Sequence, residues 1–110
     1  MHDPMSTPKA RAFMRFHDAN PHVYDAMVRY SRELKARGKN KIGVEIILGR
    51  VRWDFTVSTV GDSEYKISNN HKPFYARLIM HREADLAGLF ELREAEADDW
   101  IAAFIQAEAE

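Results

Sequence analysis

The 110-residue sequence predicts one mainly α-helical domain with a small β component, and three observations predict it. Helix-starting residues stand at Thr7-Pro8, Asn20-Pro21 and Asn69-Asn70, each followed by apolar residues at helical spacing. A hairpin-like stretch from Thr56 to Ser68 and an extended arm at Leu89, Phe90 and Leu92 supply the β component. Composition sets the size: 45% hydrophobic and 11% aromatic residues fill one core, and the length leaves no room for a second.

Residues 1 to 6 read as a disordered tail. Thr7 can cap the first helix and Pro8 suits its first position, with Ala12, Phe13 and Phe16 as one apolar stripe. Asn20-Pro21 repeats the device for a second helix running to about Arg37. Its stripe is Val23, Met27, Tyr30 and Leu34, and Gly38 stands where a left-handed residue would end it. The next segment, KIGVEIILGRVRWDFTV, reads two ways. A helical period puts Val44, Ile47, Leu48, Val51 and Phe55 on one face, whereas a period of two sets Val51, Trp53, Phe55 and Val57 against Arg50, Arg52, Asp54 and Thr56. Residue propensities leave both readings open.

Thr56 to Ser68 reads as a hairpin or ordered loop around Gly61-Asp62-Ser63. Asn69 or Asn70 then caps a helix that tolerates Pro73 in its first turn, buries Phe74 and Leu78, and ends near Ala84. Gly88 breaks the chain, and Leu89, Phe90 and Leu92 form an extended arm. A final acidic helix, within residues 94 to 110, carries Trp100, Ile101, Phe104 and Ile105 on one face and acids near its N-terminus, where they favour the macrodipole.

The net charge of -1 conceals an asymmetry. Up to Arg82 there are 15 Lys or Arg against 8 Asp or Glu, a surplus of +7; from Glu83 one Arg faces nine acids, or -8. A basic face on a small domain is a phosphate footprint, which points to DNA as a partner. The phosphate-contacting set is Arg29, Arg32, Lys39, Lys41, Arg50, Arg52 and Lys72. Asn69, Asn70, His71 and Arg77 form the candidate base-reading set, because Asn and Arg side chains match adenine and guanine edges at the start of a recognition helix. The bland reading assigns the same residues to capping and to a solvated surface.

Other chemistries find little support. There is no cysteine, so thiolate metal sites and cysteine nucleophiles are excluded and a reducing, cytoplasmic setting is expected. The opening MHDPMSTPKA lacks the basic start and apolar run of a signal peptide, and no apolar stretch approaches the roughly 20 residues of a membrane span. His2, His17, His22, His71 and His81 show no metal-ligand spacing, and no cofactor fingerprint is present. Asp54 with Glu64-Tyr65-Lys66 echoes a metal-dependent nuclease pattern, but no proline precedes Asp54 and the chain has no room for that fold. No enzymatic activity is expected.

Beyond these readings, NPHVYDAMVRYSRELKARGKNKIGVEIILGRVRWDF followed by YKISNNHKPFYARLIMHREADLAGLFELR resembles a family of small uncharacterised phage, prophage and bacterial proteins, over about residues 13 to 94. Its most specific parts are Arg52-Trp53, Asn69-Asn70 with Tyr75-Ala76-Arg77-Leu78, and Leu86-Ala87-Gly88 through Arg93. The resemblance implies an origin and no reaction. It favours a helix over residues 43 to 55 with Trp53 in the core, entered through an extended Ile42. That order looks like an elaborated winged helix over residues 7 to 93, with helices at 20 to 38, 43 to 55 and 70 to 84 and a wing begun by 89 to 93. The expectation is a phage-type accessory protein that binds DNA. The alternative is a protein-interaction module that meets a host or phage protein, or its own twin, through Trp100 and Phe104 of the acidic helix.

Overall fold

Among the described residues the shortest α-helix sits at the middle of the other four. The computed structural model describes residues 3–58 and 67–110, and within them lie α1 (Pro8–Ala19), α2 (Pro21–Ala36), α3 (Val44–Ser58), α4 (Lys72–Arg82) and α5 (Glu96–Ala109). Short 3-10 turns, Asn69–His71 and Ala84–Leu86, flank α4.

Local chemistry explains most of the boundaries. Thr7 Oγ1 accepts from the Ala10 amide at 3.2 Å, Pro8 opens α1, and Thr7 also donates to Glu96 at the start of α5. Ahead of it, the Asp3 carboxylate accepts from the Met5 amide and the Ser6 hydroxyl, a turn whose Met5 packs against the core. Asn20 does not cap α2 as expected: its side-chain amide donates back to the Phe16 carbonyl at 3.0 Å, closing α1 instead. At the end of α2, Gly38 takes φ +91°, while Lys39 N–H reaches the Leu34 carbonyl and Gly38 N–H the Lys35 carbonyl. That paired hydrogen bonding is the Schellman closure, which requires a left-handed residue.

Residues 43 to 55, ambiguous by pattern, are helical, and the helix continues through Ser58. The expected hairpin therefore starts too early at Thr56, and its turn at Gly61 to Ser63 lies outside the described residues. Ser68, rather than either asparagine, caps the next turn: its hydroxyl accepts from the Asn70 amide at 3.1 Å. Gly88 adopts φ +78°, and beyond it the chain runs back beside α3. There Ile42 and Phe90 form a single parallel bridge, with Ile42 N–H on the Leu89 carbonyl and Glu91 N–H on the Ile42 carbonyl. Among the described residues the expected β component reduces to that bridge.

The core is aromatic and centred on Phe13. Its ring stacks on Phe74 at 5.3 Å and meets Tyr75 and Trp100 edge-on at 4.8 and 5.3 Å. Helix α4 buries every side chain from Phe74 to Ile79, so over that stretch it has no solvent face, and only its ends reach water. Such a helix is held from all sides, which is why its sequence shows no single polar face. Helix α5 lies against it with Trp100 fully buried and stacked on Phe104 at 5.1 Å.

Candidate docking surface

Helix α3 buries Val44, Ile47, Leu48 and Val51 on one side. At 100° per residue that leaves Ile46, Gly49, Arg50, Trp53 and Val57 on the other. There Ile46, Trp53 and Val57 are 58%, 66% and 67% exposed, three of the five large exposed apolar side chains among the described residues. A stripe of this kind on one helix differs from scattered surface leucines, because contiguous exposed apolar area marks interaction sites. Trp53 is thus a correction to the expectation of a core residue. It follows Val51 by two positions, and two helical steps turn a side chain through 200°, away from the side Val51 buries.

The stripe borders a groove between α2 and α3. One hollow of about 250 Å³ is lined by Tyr30, Leu34, Ile46, Ile47 and Arg50. A second, of about 190 Å³, is lined by Ala26, Arg29, Val51 and Phe55, with Asp54 at its edge. Tyr30 ties the two helices together by donating its hydroxyl to the Asp54 carboxylate. Arg29 and Arg50 stand 5.1 and 5.2 Å from the Tyr30 ring centroid, so two guanidinium groups are attracted to one π-face system. Arg50 also approaches Asp54 at 3.5 Å with both side chains partly in water. Tryptophan, tyrosine and arginine together are the residue types that dominate protein interfaces.

The base-reading set does not assemble. Asn69 and Asn70 are exposed, but His71 and Arg77 are buried. Arg77 donates to Asp98 at 2.7 Å, to the Pro73 carbonyl at 3.0 Å and to the Arg93 carbonyl at 2.8 Å, which engages all three nitrogens of a guanidinium that is only 4% exposed. A buried charge survives only when it is paired in this way. Its hydrogen bond also holds the Asp98 carboxyl below the ordinary carboxylate range. His71 sits beside Phe13 and Phe16 in the aromatic cluster, where burial lowers its pKa. With Phe74 to Ile79 enclosed as well, α4 has no face to lay in a DNA groove.

The phosphate set is largely engaged within the chain. Arg32 binds Glu83 and Asp85, both at 2.9 Å, and holds the Asp85 carboxyl low. Arg52 donates to the Ile67 carbonyl and to Asn69 Oδ1, and Lys41 to the Gly88 carbonyl. Arg50 is shared between Asp54 and Tyr30, and Arg29 rests on Tyr30. Among the described residues Lys39 and Lys72 alone of the seven make none of these contacts. Lys72 lines a cleft of about 480 Å³ between the starts of α3 and α4, whose walls also carry Glu45, Glu91 and Arg93. Opposed charges there leave no strong field for an anion.

The alternative partner anchors are corrected too. Trp100 is 0% exposed and Phe104 is 7% exposed, so neither is available to a partner while the fold is intact. Among the described residues no group of three or more His, Cys, Asp or Glu is placed to hold a metal ion. Among the same residues no helix is long and apolar enough to cross a membrane. Comparisons with protein-family models, with curated proteins and with solved structures found no match to the chain.

Proposed function

We propose that the chain is a non-enzymatic docking protein whose working surface is the outer face of α3 with the adjoining α2–α3 groove. The observation that carries this is the bare stripe of Ile46, Trp53 and Val57 beside Arg29 and Arg50. Hydrating that stripe is unfavourable, and a partner that covers it recovers roughly 25 cal/mol for each Å² of apolar surface removed from water. The resemblance to small phage and prophage proteins supports reading it as a phage-type accessory protein, and the absence of cysteine supports a cytoplasmic setting.

The test is site-specific photo-cross-linking in the cells that make the protein. A photoreactive residue at position 53 is expected to yield discrete protein adducts, and one at Lys9 on α1 is not. Adducts to nucleic acid, or none at either position, would contradict the proposal.

DNA binding is the second reading, favoured by the exposure of Asn69 and Asn70 beside Lys72. The order α2, extended Ile42, α3, α4, extended Phe90 supports a winged-helix arrangement for it, although α4 then reads through its first turn alone. Binding to duplex DNA that weakens steeply between low and moderate salt, and that is lost on Lys72→Ala, is what this reading expects.

A further inference from the structure

We propose that the occupant of the α3 face is a second copy of this chain, in a two-fold dimer where Trp53 of each copy seats over Gly49 of the other. The inference rests on the docking reading and names its partner.

Gly49 is the first ground. It lies inside α3 on the exposed side, and a Cβ built there would meet nothing within 4 Å. Among the described residues positive φ is confined to Gly38 and Gly88, so backbone conformation does not require glycine at 49 either. Glycine is a poorer helix former than any residue but proline. Nothing among the described residues explains this one, whereas close approach of a large side chain from outside does.

Register is the second ground. Two α3 helices packed antiparallel about a two-fold axis near Val51 and Arg52 bring position 49 of one copy level with position 53 of the other, and 46 level with 57. The largest side chain of the face then meets its only gap, and Ile46 meets Val57. Each contact occurs twice, so the face is complementary to itself in size.

Charge is the third. A two-fold axis of this kind keeps like flanks of the helices together. Arg50 and Asp54 share one flank, so Arg50 of each copy comes within about 3 Å along the axis of Asp54 of the other. Within one chain that pair is loose, 3.5 Å apart with side chains 59% and 35% exposed, so Arg50 can turn outward while Asp54 keeps its hydrogen bond from Tyr30. Glu45 and Asp54 balance Arg50 and Arg52 along α3, and Arg29 of α2 leaves one positive charge per copy beside the groove, which the Arg50–Asp54 contacts must outweigh.

Sedimentation equilibrium of the full chain over a dilution series tests the proposal, with Gly49→Gln and Trp53→Ala alongside and circular dichroism as the check on folding. The expected result is a reversible monomer–dimer equilibrium, with both variants helical and their dimer dissociation constants raised by about tenfold or more. Because the chain has no cysteine, Arg50→Cys should oxidise to a covalent dimer and Lys9→Cys should not. A monomer at every concentration, growth beyond the dimer, or a dimer indifferent to both substitutions would overturn the inference. A monomeric chain that still photo-cross-links from position 53 to a protein of different mass would overturn the dimer and leave the docking reading standing. A monomer with no protein adduct would overturn both.

Discussion

Helices α3 and α4 are both rich in apolar residues, yet one is enclosed and the other is half bare. In α4 every side chain from Phe74 to Ile79 is buried, and even the charged Arg77 is absorbed by Asp98 and two carbonyls. In α3 the inner side meets the core, while Ile46, Trp53 and Val57 face water. Apolar residues in α4 therefore stabilise the fold, and those on the outer side of α3 do nothing for it. That difference separates the part of the molecule that holds it together from the part that meets something else.

The largest effects belong on the enclosed side. Trp100→Ala removes a fully buried ring from the cluster around Phe13 and should destabilise the fold by about 4 kcal/mol, read as a lower urea midpoint. Asp98→Ala removes the carboxylate from the buried Arg77 charge, and with Asp98 itself half exposed and two carbonyls still accepting from Arg77 it should lose about 1 to 2 kcal/mol by the same measurement. Loss of less than about 1 kcal/mol from either would erase the contrast between the two helices.

A smaller effect follows from the histidines of the aromatic cluster. His17 is held below its ordinary value by burial and then by the Arg82 charge, partly offset by Asp18 and Asp25, and His71 by burial; their Nδ1 atoms have no hydrogen-bond partner among the described residues. The unfolded chain therefore takes up protons at the ordinary value of 6.5, while the fold resists them to lower pH. Stability should be flat above about pH 7 and fall as the pH drops below the unfolded histidine value. Replacing both with Gln should flatten that fall in a melting-temperature profile. A second loss follows near and below the ordinary carboxylate range, as Asp85 and Asp98, both held low by arginine partners, take up protons.

The smallest effects belong on the bare side. Gly49→Ala should raise the intrinsic stability of the monomer by about 0.5 to 1 kcal/mol, since a methyl group there meets only solvent. Trp53→Ala should change it by less than about 0.5 kcal/mol. Urea titrations in the dilute monomer check both, and a large loss from Trp53→Ala would show that its ring supports the fold.

Much of this arrangement was legible in the sequence, for identifiable reasons. Thr7-Pro8, Gly38 and Gly88 act within a few residues of themselves, through a capping hydroxyl, a preset φ and a left-handed backbone, so local rules place them correctly. Ile42 and the arm at Phe90 were legible as extended residues, though not as partners, because 48 positions separate them. The candidate site was read less well. Arg77 looked like a reading residue because its partner Asp98 lies 21 positions away, on another helix. The resemblance places Trp53 in the core, whereas its angle from Val51 points outward. Asn69 and Asn70 resembled caps, but the hydroxyl of Ser68 took that role.

The most direct test of a bare α3 face uses the two tryptophans, one buried and one exposed. Trp100→Phe leaves Trp53 as the sole indole reporter, with circular dichroism confirming the fold. At high dilution its emission should be red-shifted and readily quenched by acrylamide, and both signals should become shielded as concentration rises and copies pair. An indole shielded at every dilution would place Trp53 in the core of the monomer and contradict the account at its root.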